Sequence, residues 1–204
     1  MKNPTSILAL LLCLAAPLAA AETAVRVVPD DWKAFDASAV SFDGGELVLD
    51  GRKAMSKAVY LPLEWQDVSL EADFRLDPAA EGVLACGFMV RAADALHSYY
   101  VHFDKASAIL CRSDANGSWH EITRTAIDRP AGEWHKGKLE IEGDTLTVSL
   151  NGKQCYEVKD GSLTGKGRIG FYANQGVAHV KNIKATGEAS KTDEPFVIPP
   201  PLYV

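Results

Sequence analysis

Four consecutive segments decide the fold of this chain: VSLEADFRL (68–76), GVLACGFMVRA (82–92), SYYVHFD (98–104) and AILCRS (108–113). Apolar and polar residues alternate along most of this stretch, which is typical of strands with one buried face and one face in water. Short polar turns separate the segments. The pattern therefore predicts four β-strands that expose polar side chains on one side.

The rest of the chain extends the same pattern. Leu146, Val148 and Leu150 alternate with polar residues, Asn151-Gly152 follows, and a second run begins at Gln154. Asn-Gly between two such runs is the strongest short-range signal for a β-hairpin. No segment has a sustained helical period. About twelve strands, separated by Gly, Pro, Asn and Asp, predict an all-β antiparallel sandwich or barrel, and their number fits two stacked sheets.

Composition changes at both ends of the chain. Residues 1–21 combine Lys2, an apolar run and an Ala-Ala-Ala cleavage pattern, which predicts a secretory signal peptide and export to the periplasm or the exterior. The apolar run is too short for a comfortable membrane span, which needs about 20 residues. Residues 22–187 are predicted to form the folded domain. Residues 188–204 are polar and then Pro-rich, which predicts a tail or linker without packing, a remnant of a link to a lost domain or a docking segment for a partner protein.

Charge and cysteine content exclude some classes of partner. The chain has 21 basic and 27 acidic residues, a net charge of −6, which disfavours nucleic acid or an anionic membrane as a partner. Cys86 and Cys111 are both predicted to point inward, and a disulfide between them or two free thiols remain open. No metal-binding spacing accompanies the cysteines, so no cofactor is predicted, and a structural calcium ion at a loop is left undecided.

Side-chain parity gives the candidate ligand site. Arg91 is assigned to the wet face because an isolated arginine is rarely buried. The same alternation turns Tyr99, Val101 and Phe103 inward, and on the next strand it places Ile109 and Cys111 inward. The residues assigned to the wet face, and predicted to bind a ligand, are Arg91, Tyr100, His102, Asp104, Arg112, Tyr172, Asn174 and Gln175.

These residue types suit carbohydrate. Tyrosine rings, with Trp119 as a further candidate, can stack on the apolar faces of sugar rings. Arginine, aspartate and amide side chains can hydrogen-bond sugar hydroxyls. His102 is also a candidate general acid or base, with Asp104, Glu71 or Asp73 as its partner. The sequence therefore predicts a carbohydrate partner and leaves catalysis open.

The ordered segments FDGGELVLDG, DVSLEADFRL, GFMVRA, GEWHKGKLEIEGDTLTVSLNG and GRIGFYANQGVAHVKNIKATG make the chain similar to the 3-keto-disaccharide hydrolase domains within the laminin-G/concanavalin A-like jelly rolls. The resemblance covers roughly residues 32–187. It implies a two-sheet antiparallel jelly-roll sandwich with a concave face, and secretion with carbohydrate binding or processing. Family-sixteen glycoside hydrolases of this fold class carry Glu-x-Asp-x-Glu on one strand; here Arg75 replaces the last carboxylate, which argues against retaining glycosidase chemistry.

Three functions follow from the sequence. The first is a secreted carbohydrate-binding domain that recognises a glycan on its concave sheet. The second is a hydrolase acting on 3-keto-disaccharides or related glycosides. The third is a non-catalytic interaction or adhesion module. The fold does not choose among them, because the same sandwich carries lectins, enzymes and adhesion domains.

Overall fold

The computed structural model describes residues 21–78, 84–114 and 118–198, where seventeen strands form two large antiparallel sheets and a two-stranded ribbon. Several strands beyond the predicted twelve are only three residues long. The predicted signal peptide, except for Ala21, lies outside the described residues, as does the Pro199-Pro200-Pro201 run. Within the described ranges, no helix is long and apolar enough to span a membrane.

The first sheet has eight strands. In spatial order they are β14 (Lys153–Lys159), β13 (Thr145–Leu150), β12 (His135–Glu142), β7 (Val68–Leu76), β16 (Val177–Thr186), β4 (Glu46–Asp50) and β3 (Val40–Asp43), with β1 (Glu22–Ala24) paired to β16. The predicted hairpin joins β13 to β14. Its turn residues Asn151 and Gly152 have φ values of 52° and 78°, the positive values that Asn-Gly tolerates.

The second sheet has seven strands. In spatial order they are β11 (Trp119–Ala126), β10 (Ser107–Ser113), β9 (Ser98–Phe103), β8 (Ala85–Ala92), β15 (Arg168–Asn174), β5 (Ser56–Tyr60) and β2 (Trp32–Ala34). Of the four segments that decide the fold, three therefore lie side by side as β8, β9 and β10. The fourth, β7, belongs to the eight-stranded sheet, because the chain passes from one sheet to the other between β7 and β8.

The core lies between the two sheets. Phe74 of β7 contacts Phe88 of β8 and Phe103 of β9, with ring centroids 5.7 and 5.3 Å apart. All three rings are fully buried, as edge-to-face and stacked aromatic pairs in a sandwich core usually are. The inward assignment of Tyr99, Val101 and Phe103 is confirmed by their burial. The all-β, two-sheet jelly-roll sandwich is confirmed.

The C-terminal segment, residues 188–198, packs on the domain. Its strand β17 (Ala189–Lys191) pairs with β6 (Leu63–Trp65). Phe196 is buried against Phe35, with ring centroids 6.0 Å apart. The prediction of a tail without packing is wrong for this segment, because Phe196 supplies an apolar anchor that the polar composition around it conceals.

The C-terminal segment lies on the outward face of the seven-stranded sheet. Phe196 belongs to an apolar cluster with Val59, Met89, Ala92 and Tyr172 of that sheet. Nearby, the Ala95 N–H donates to the Val197 carbonyl at 3.2 Å. The outward face is therefore partly covered, and the uncovered part carries the site described next.

Candidate functional site

Three aromatic side chains meet on the outward face of the seven-stranded sheet. Tyr100 and His102 lie two residues apart on β9, and Tyr172 lies on β15. The strand register places His102 and Tyr172 on either side of Gly87 of β8, and paired residues of neighbouring strands point to the same face. These three residues, the aromatic trio, are therefore neighbours across β8.

The aromatic trio is held by edge-to-face contacts. Ring centroids are 5.3 Å apart for Tyr100 and His102, 5.7 Å for Tyr100 and Tyr172, and 4.9 Å for His102 and Tyr172. The interplanar angles of 62°, 86° and 80° are those that aromatic quadrupoles favour. Tyr172 is 1% exposed and forms the floor, while Tyr100 and His102 lie partly open above it.

A cavity of about 430 Å³ opens over Tyr100 and His102. We call it the site cavity; it is lined by Met55, Lys57, Ala95, Leu96, Tyr100, His102, Ser113 and Trp119. Trp119 and Met55 are 53% and 44% exposed, which is unusual for large apolar side chains. The site cavity thus combines a partly buried aromatic floor with an exposed indole at one side.

Burial sets the protonation of the site. Removal of the imidazolium from water lowers the pKa of His102 from 6.5 to about 4, so the ring is neutral at pH 7. Burial also raises the pKa of the Tyr100 hydroxyl and lowers that of the Lys57 ammonium. At neutral pH, His102 can therefore accept a proton or a hydrogen bond on one ring nitrogen and donate a hydrogen bond from the other.

Polar groups around the site cavity lack protein partners. Within the described ranges, the His102 ring and the Lys57 ammonium make no hydrogen bond to the protein, and the buried Tyr172 hydroxyl makes none either. Of these three groups only the Tyr172 hydroxyl is buried without a partner, whereas the His102 ring and the Lys57 ammonium are open to water or a ligand in the site cavity. The surrounding face thus has unmet hydrogen-bonding capacity.

Part of the predicted site is assembled as expected. Tyr100, His102 and Tyr172 lie on one face. Asn174 shares that parity on β15 and pairs with Ala85, two residues beyond Tyr172. Gln175 is exposed in the next turn, with φ of 57°. Neither Asn174 nor Gln175 lines the site cavity.

The placement of Arg91 on the wet face is wrong. Its side chain is only 3% exposed and donates to the carbonyls of Gln66, Leu163 and Gly143 at 2.6 to 2.8 Å, and to Asp67 at 3.0 Å. The register between β8 and β15 shifts at this point, and Arg91 has φ of 49°. This β-bulge reverses which residues of the strand point outward, so the Arg91 side chain points away from the aromatic trio. It hydrogen-bonds the loops that contain these carbonyls instead.

The placement of Arg112 is wrong as well. Arg112 pairs with Tyr99, whose side chain points into the core, so both face away from Tyr100. Its guanidinium donates to Asp114 and Asp160, both at 2.8 Å. The inward assignment of Cys111 and Ile109 fails for the same reason, because these residues pair with Tyr100 and His102 on the outward face.

Asp104 is used by the backbone. Its carboxylate accepts from the N–H groups of Ala106 and Ser107 at 2.7 and 2.6 Å, and from the Ser107 hydroxyl at 3.2 Å. It therefore closes the turn between β9 and β10, a frequent role of aspartate. The side chain is buried and does not line the site cavity, although it lies close enough to His102 to favour the charged form of that ring.

Glu71 and Asp73 lie on the other sheet. They share the outward face of β7, as their alternation predicts, and Lys136 Nζ lies 3.1 Å from Glu71 and 3.7 Å from Asp73. Asn182 also donates to Asp73 at 2.7 Å. Since β7 and β9 belong to opposite sheets and these carboxylates and His102 all point outward, the proposed pairing of His102 with Glu71 or Asp73 is wrong.

Five residues that line the site cavity were not predicted from the sequence: Met55, Lys57, Ala95, Leu96 and Ser113. Lys57 and Met55 come from β5 and the turn before it, and Lys57 pairs with Tyr172. Alternation in SKAVY (56–60) was the available signal, because it places Lys57 and Val59 on the same side. Trp119, a candidate in the sequence, does line the site cavity.

The three cysteines of the described chain are free thiols. Cys86 pairs with Phe103 and points into the core, whereas Cys111 pairs with Tyr100 and points outward. The two therefore lie on opposite faces of one sheet. Burial raises the pKa of both thiols to about 12, so both remain protonated.

Fold and site together define a jelly-roll domain with a cavity on one sheet face. The chain belongs to the 3-keto-alpha-glucoside-1,2-lyase-like domain family, whose model matches residues 27–186. The resemblance to 3-keto-disaccharide hydrolase domains is thereby confirmed. No curated protein matches the sequence.

Solved structures share the fold at low sequence identity. Carbohydrate-binding module CBM66 from Bacillus subtilis is 19% identical with a TM-score of 0.67, over 76% of this chain and 94% of that one. A protein with a galectin-like fold from Bacillus subtilis is 17% identical with a TM-score of 0.63, over 84% of this chain and 96% of that one. The Bacillus licheniformis beta-glucanase is 11% identical with a TM-score of 0.60, over 85% of this chain and 100% of that one. These similarities establish the jelly-roll fold.

Proposed function

We propose that this protein binds carbohydrate in the site cavity. The observation that carries the proposal is the exposed indole of Trp119 beside the partly open rings of Tyr100 and His102, around one cavity. Aromatic rings provide the stacking surface that the apolar face of a sugar needs. The unpartnered groups of His102 and Lys57 would bond its hydroxyls.

The comparisons support this class of ligand. The family model bears the name of a glucoside lyase, and two of the similar structures are a carbohydrate-binding module and a glucanase. Fold alone does not carry function, so the argument depends on the site cavity. A cavity of about 430 Å³ is within the range of small-ligand sites.

Calorimetric titration tests the proposal. We expect wild type to bind at least one of glucose, sucrose, trehalose and maltose. Trp119→Ala should weaken that binding about tenfold, since an aromatic contact contributes about 0.5–1.5 kcal/mol beyond its buried area. The control is Trp134→Ala, because Trp134 lies outside the site cavity, over Arg75 of the eight-stranded sheet. Unchanged affinity in Trp119→Ala would contradict the proposed site.

A second candidate function is cleavage of a 3-keto-glucoside at the same site. It is favoured by His102, whose neutral ring borders the site cavity and has no partner among the described residues. In an elimination, a neutral imidazole would remove the C2 proton beside the C3 carbonyl. A C1=C2 double bond would form as the C1–O bond breaks, and the leaving oxygen would take up a proton from the imidazolium or from water.

Product analysis distinguishes cleavage from binding. Purified protein is incubated with 3-keto-sucrose and released fructose is measured. Release that disappears in His102→Gln and persists in His120→Gln, an exposed histidine, would favour catalysis. No release from wild type would leave carbohydrate binding as the function.

Export remains part of the proposal. We infer that the protein acts in the periplasm or outside the cell, which is supported by the signal-like pattern of residues 1–21. N-terminal sequencing of the protein from the expressing cell should begin at Glu22. A chain that retains Met1 in the cytoplasm would contradict export.

A further inference from the structure

Lys57 occupies an unusual position for a lysine. It pairs with Tyr172 and therefore lies on the outward face, beside the aromatic trio. Its side chain is partly buried, and its ammonium lies 5.5 Å from the centroid of the Phe35 ring. A lysine in such a place usually either reaches water or finds a carboxylate.

Lys57 has no carboxylate partner. Among residues 21–78, 84–114 and 118–198, no acidic side chain lies within 4.0 Å of its ammonium, whereas Lys136 on the other sheet has both Glu71 and Asp73. The Lys57 ammonium keeps some contact with solvent, but its surroundings remove much of its water, which disfavours the charged form. Burial accordingly lowers the pKa of Lys57. The Lys57 ammonium can therefore bind an anionic group of a ligand, because no carboxylate of the described residues occupies that place.

The charge of the site cavity follows from its lining. Among the described residues that line the site cavity, Lys57 alone is ionised at pH 7, because His102 is neutral there. Two nearby carboxylates are already engaged: Glu121 pairs with Arg124, and Asp104 accepts hydrogen bonds in its turn. The described lining of the site cavity therefore carries one positive charge and no negative charge, in a chain whose net charge is −6.

We propose that the site cavity selects sugars that carry a negative charge, and that Lys57 is the residue that recognises the charged group. The inference rests on the proposed carbohydrate function and narrows its ligand class. A carboxylate, as in a uronic acid, and a sulfate ester present the same chemistry to an ammonium. The sugar ring would lie toward Trp119 and the charged group toward Lys57.

Affinities for matched probes test the inference. Methyl glucuronide, glucose 6-sulfate and methyl glucoside are titrated into the intact protein at 20 mM and 500 mM salt. We expect wild type to bind at least one anionic probe about tenfold more tightly than methyl glucoside at low salt, with a smaller difference at high salt because ions screen the pair. Preference for the glucuronide or for the sulfate ester identifies the charged group.

The matched variants are Lys57→Met and Lys33→Met. Lys33 is exposed on β2, and its partner Val59 lies on the same face as Lys57. Lys57→Met should bring the affinity ratio close to one, whereas Lys33→Met should preserve it. Lys57→Gln repeats the test with a polar side chain if the methionine variant folds poorly.

Two results overturn the inference, and a third overturns the proposed function. Equal wild-type affinity for charged and neutral probes, or a preference that survives in Lys57→Met, would show that Lys57 does not select the ligand. Carbohydrate binding through Trp119 would then still stand. If neither these probes nor the neutral sugars bind wild type, the proposed carbohydrate function itself is contradicted.

Discussion

The ring of Tyr172 lies across the space that a side chain at position 87 would occupy. A Cβ atom built on Gly87 would be 1.6 Å from Tyr172 Cε1. The absence of a side chain on β8 therefore allows the Tyr172 ring to lie beneath His102 and Tyr100. Gly87 is in this sense a part of the site, although its sequence context gives no sign of a ligand.

Gly87→Ala should displace Tyr172 and destabilise the protein. Overpacking a tight core typically costs about 1–3 kcal/mol, and the neighbour here is a large buried ring. Urea unfolding would measure the loss. Gly165→Ala is the control, since an added Cβ there meets no atom within 4 Å. Equal stability of the two variants would contradict the described position of Tyr172.

The depressed pKa of His102 predicts a pH dependence of stability. The unfolded chain takes up a proton below pH 6.5, whereas the folded protein does so only near pH 4. The contribution is complete above pH 6.5 and is lost as pH falls toward 4, at most about 3 kcal/mol. Urea unfolding between pH 7.5 and pH 4.5 should show a flatter pH profile for His102→Gln than for wild type.

An NMR titration checks the cause of this effect directly. The ring signals of His102 should change near pH 4, whereas a midpoint near 6.5 would show that the ring is not desolvated. His120→Gln is the control for the unfolding series, because His120 is 47% exposed. Its pH profile should follow that of wild type.

Arg91 should matter for stability and not for ligand affinity. Arg91→Met leaves the Gln66, Leu163 and Gly143 carbonyls without this charged donor, and a buried polar group that loses its partner typically costs about 1–3 kcal/mol, whereas the half-exposed Asp67 still accepts from the Gly143 N–H. Arg52→Met, whose side chain is 66% exposed, should cost less than about 1 kcal/mol. Thermal unfolding distinguishes the two variants.

The opposite result for Arg91 would support the wet-face assignment. A variant that keeps its melting temperature and loses affinity for a bound sugar would place this guanidinium on the ligand. Arg91→Lys extends the test, because lysine keeps the charge but cannot donate in the fork geometry of arginine. It should recover only part of the lost stability.

Phe196 should hold the C-terminal segment on the sheet. Phe196→Ser removes a ring that is 8% exposed, with an expected cost of about 2–4 kcal/mol. Hydrogen exchange at the Ala95 amide reports the contact, because this N–H donates to the Val197 carbonyl. Exchange should accelerate in Phe196→Ser and stay unchanged in Val197→Ser, whose side chain is 57% exposed. Slow exchange in both would show that the segment is held elsewhere.

Regular alternation made much of the fold predictable. The predicted strand 68–76 matches β7 residue for residue, because a nine-residue alternation has only one consistent pair of faces. The Asn-Gly hairpin was equally clear from local turn chemistry. Strand alternation and turn chemistry depend only on residues that are close in the sequence, so a single sequence is enough to predict them.

The predicted site was wrong where the direction of a side chain depends on strand pairing between residues that are distant in the sequence. The bulge at Arg91 depends on how β8 pairs with β15, about eighty residues further along the chain. In AILCRS, apolar residues occupy both parities, so the pattern cannot say whether Leu110 or Cys111 points inward. The turn that Asp104 closes sets the register of β10 against β9, and this register places Leu110 inward and Cys111 outward. Lys57 was missed because its place opposite Tyr172 is a property of the sheet.

The route of the C-terminal segment affects how the protein should be handled. Ile198, the last residue described at this end, packs in the same apolar cluster as Tyr100, which lines the site cavity. Glu22, by contrast, pairs with Thr186 in the other sheet. An affinity tag or surface anchor joined ahead of Glu22 therefore starts from the sheet opposite the site cavity.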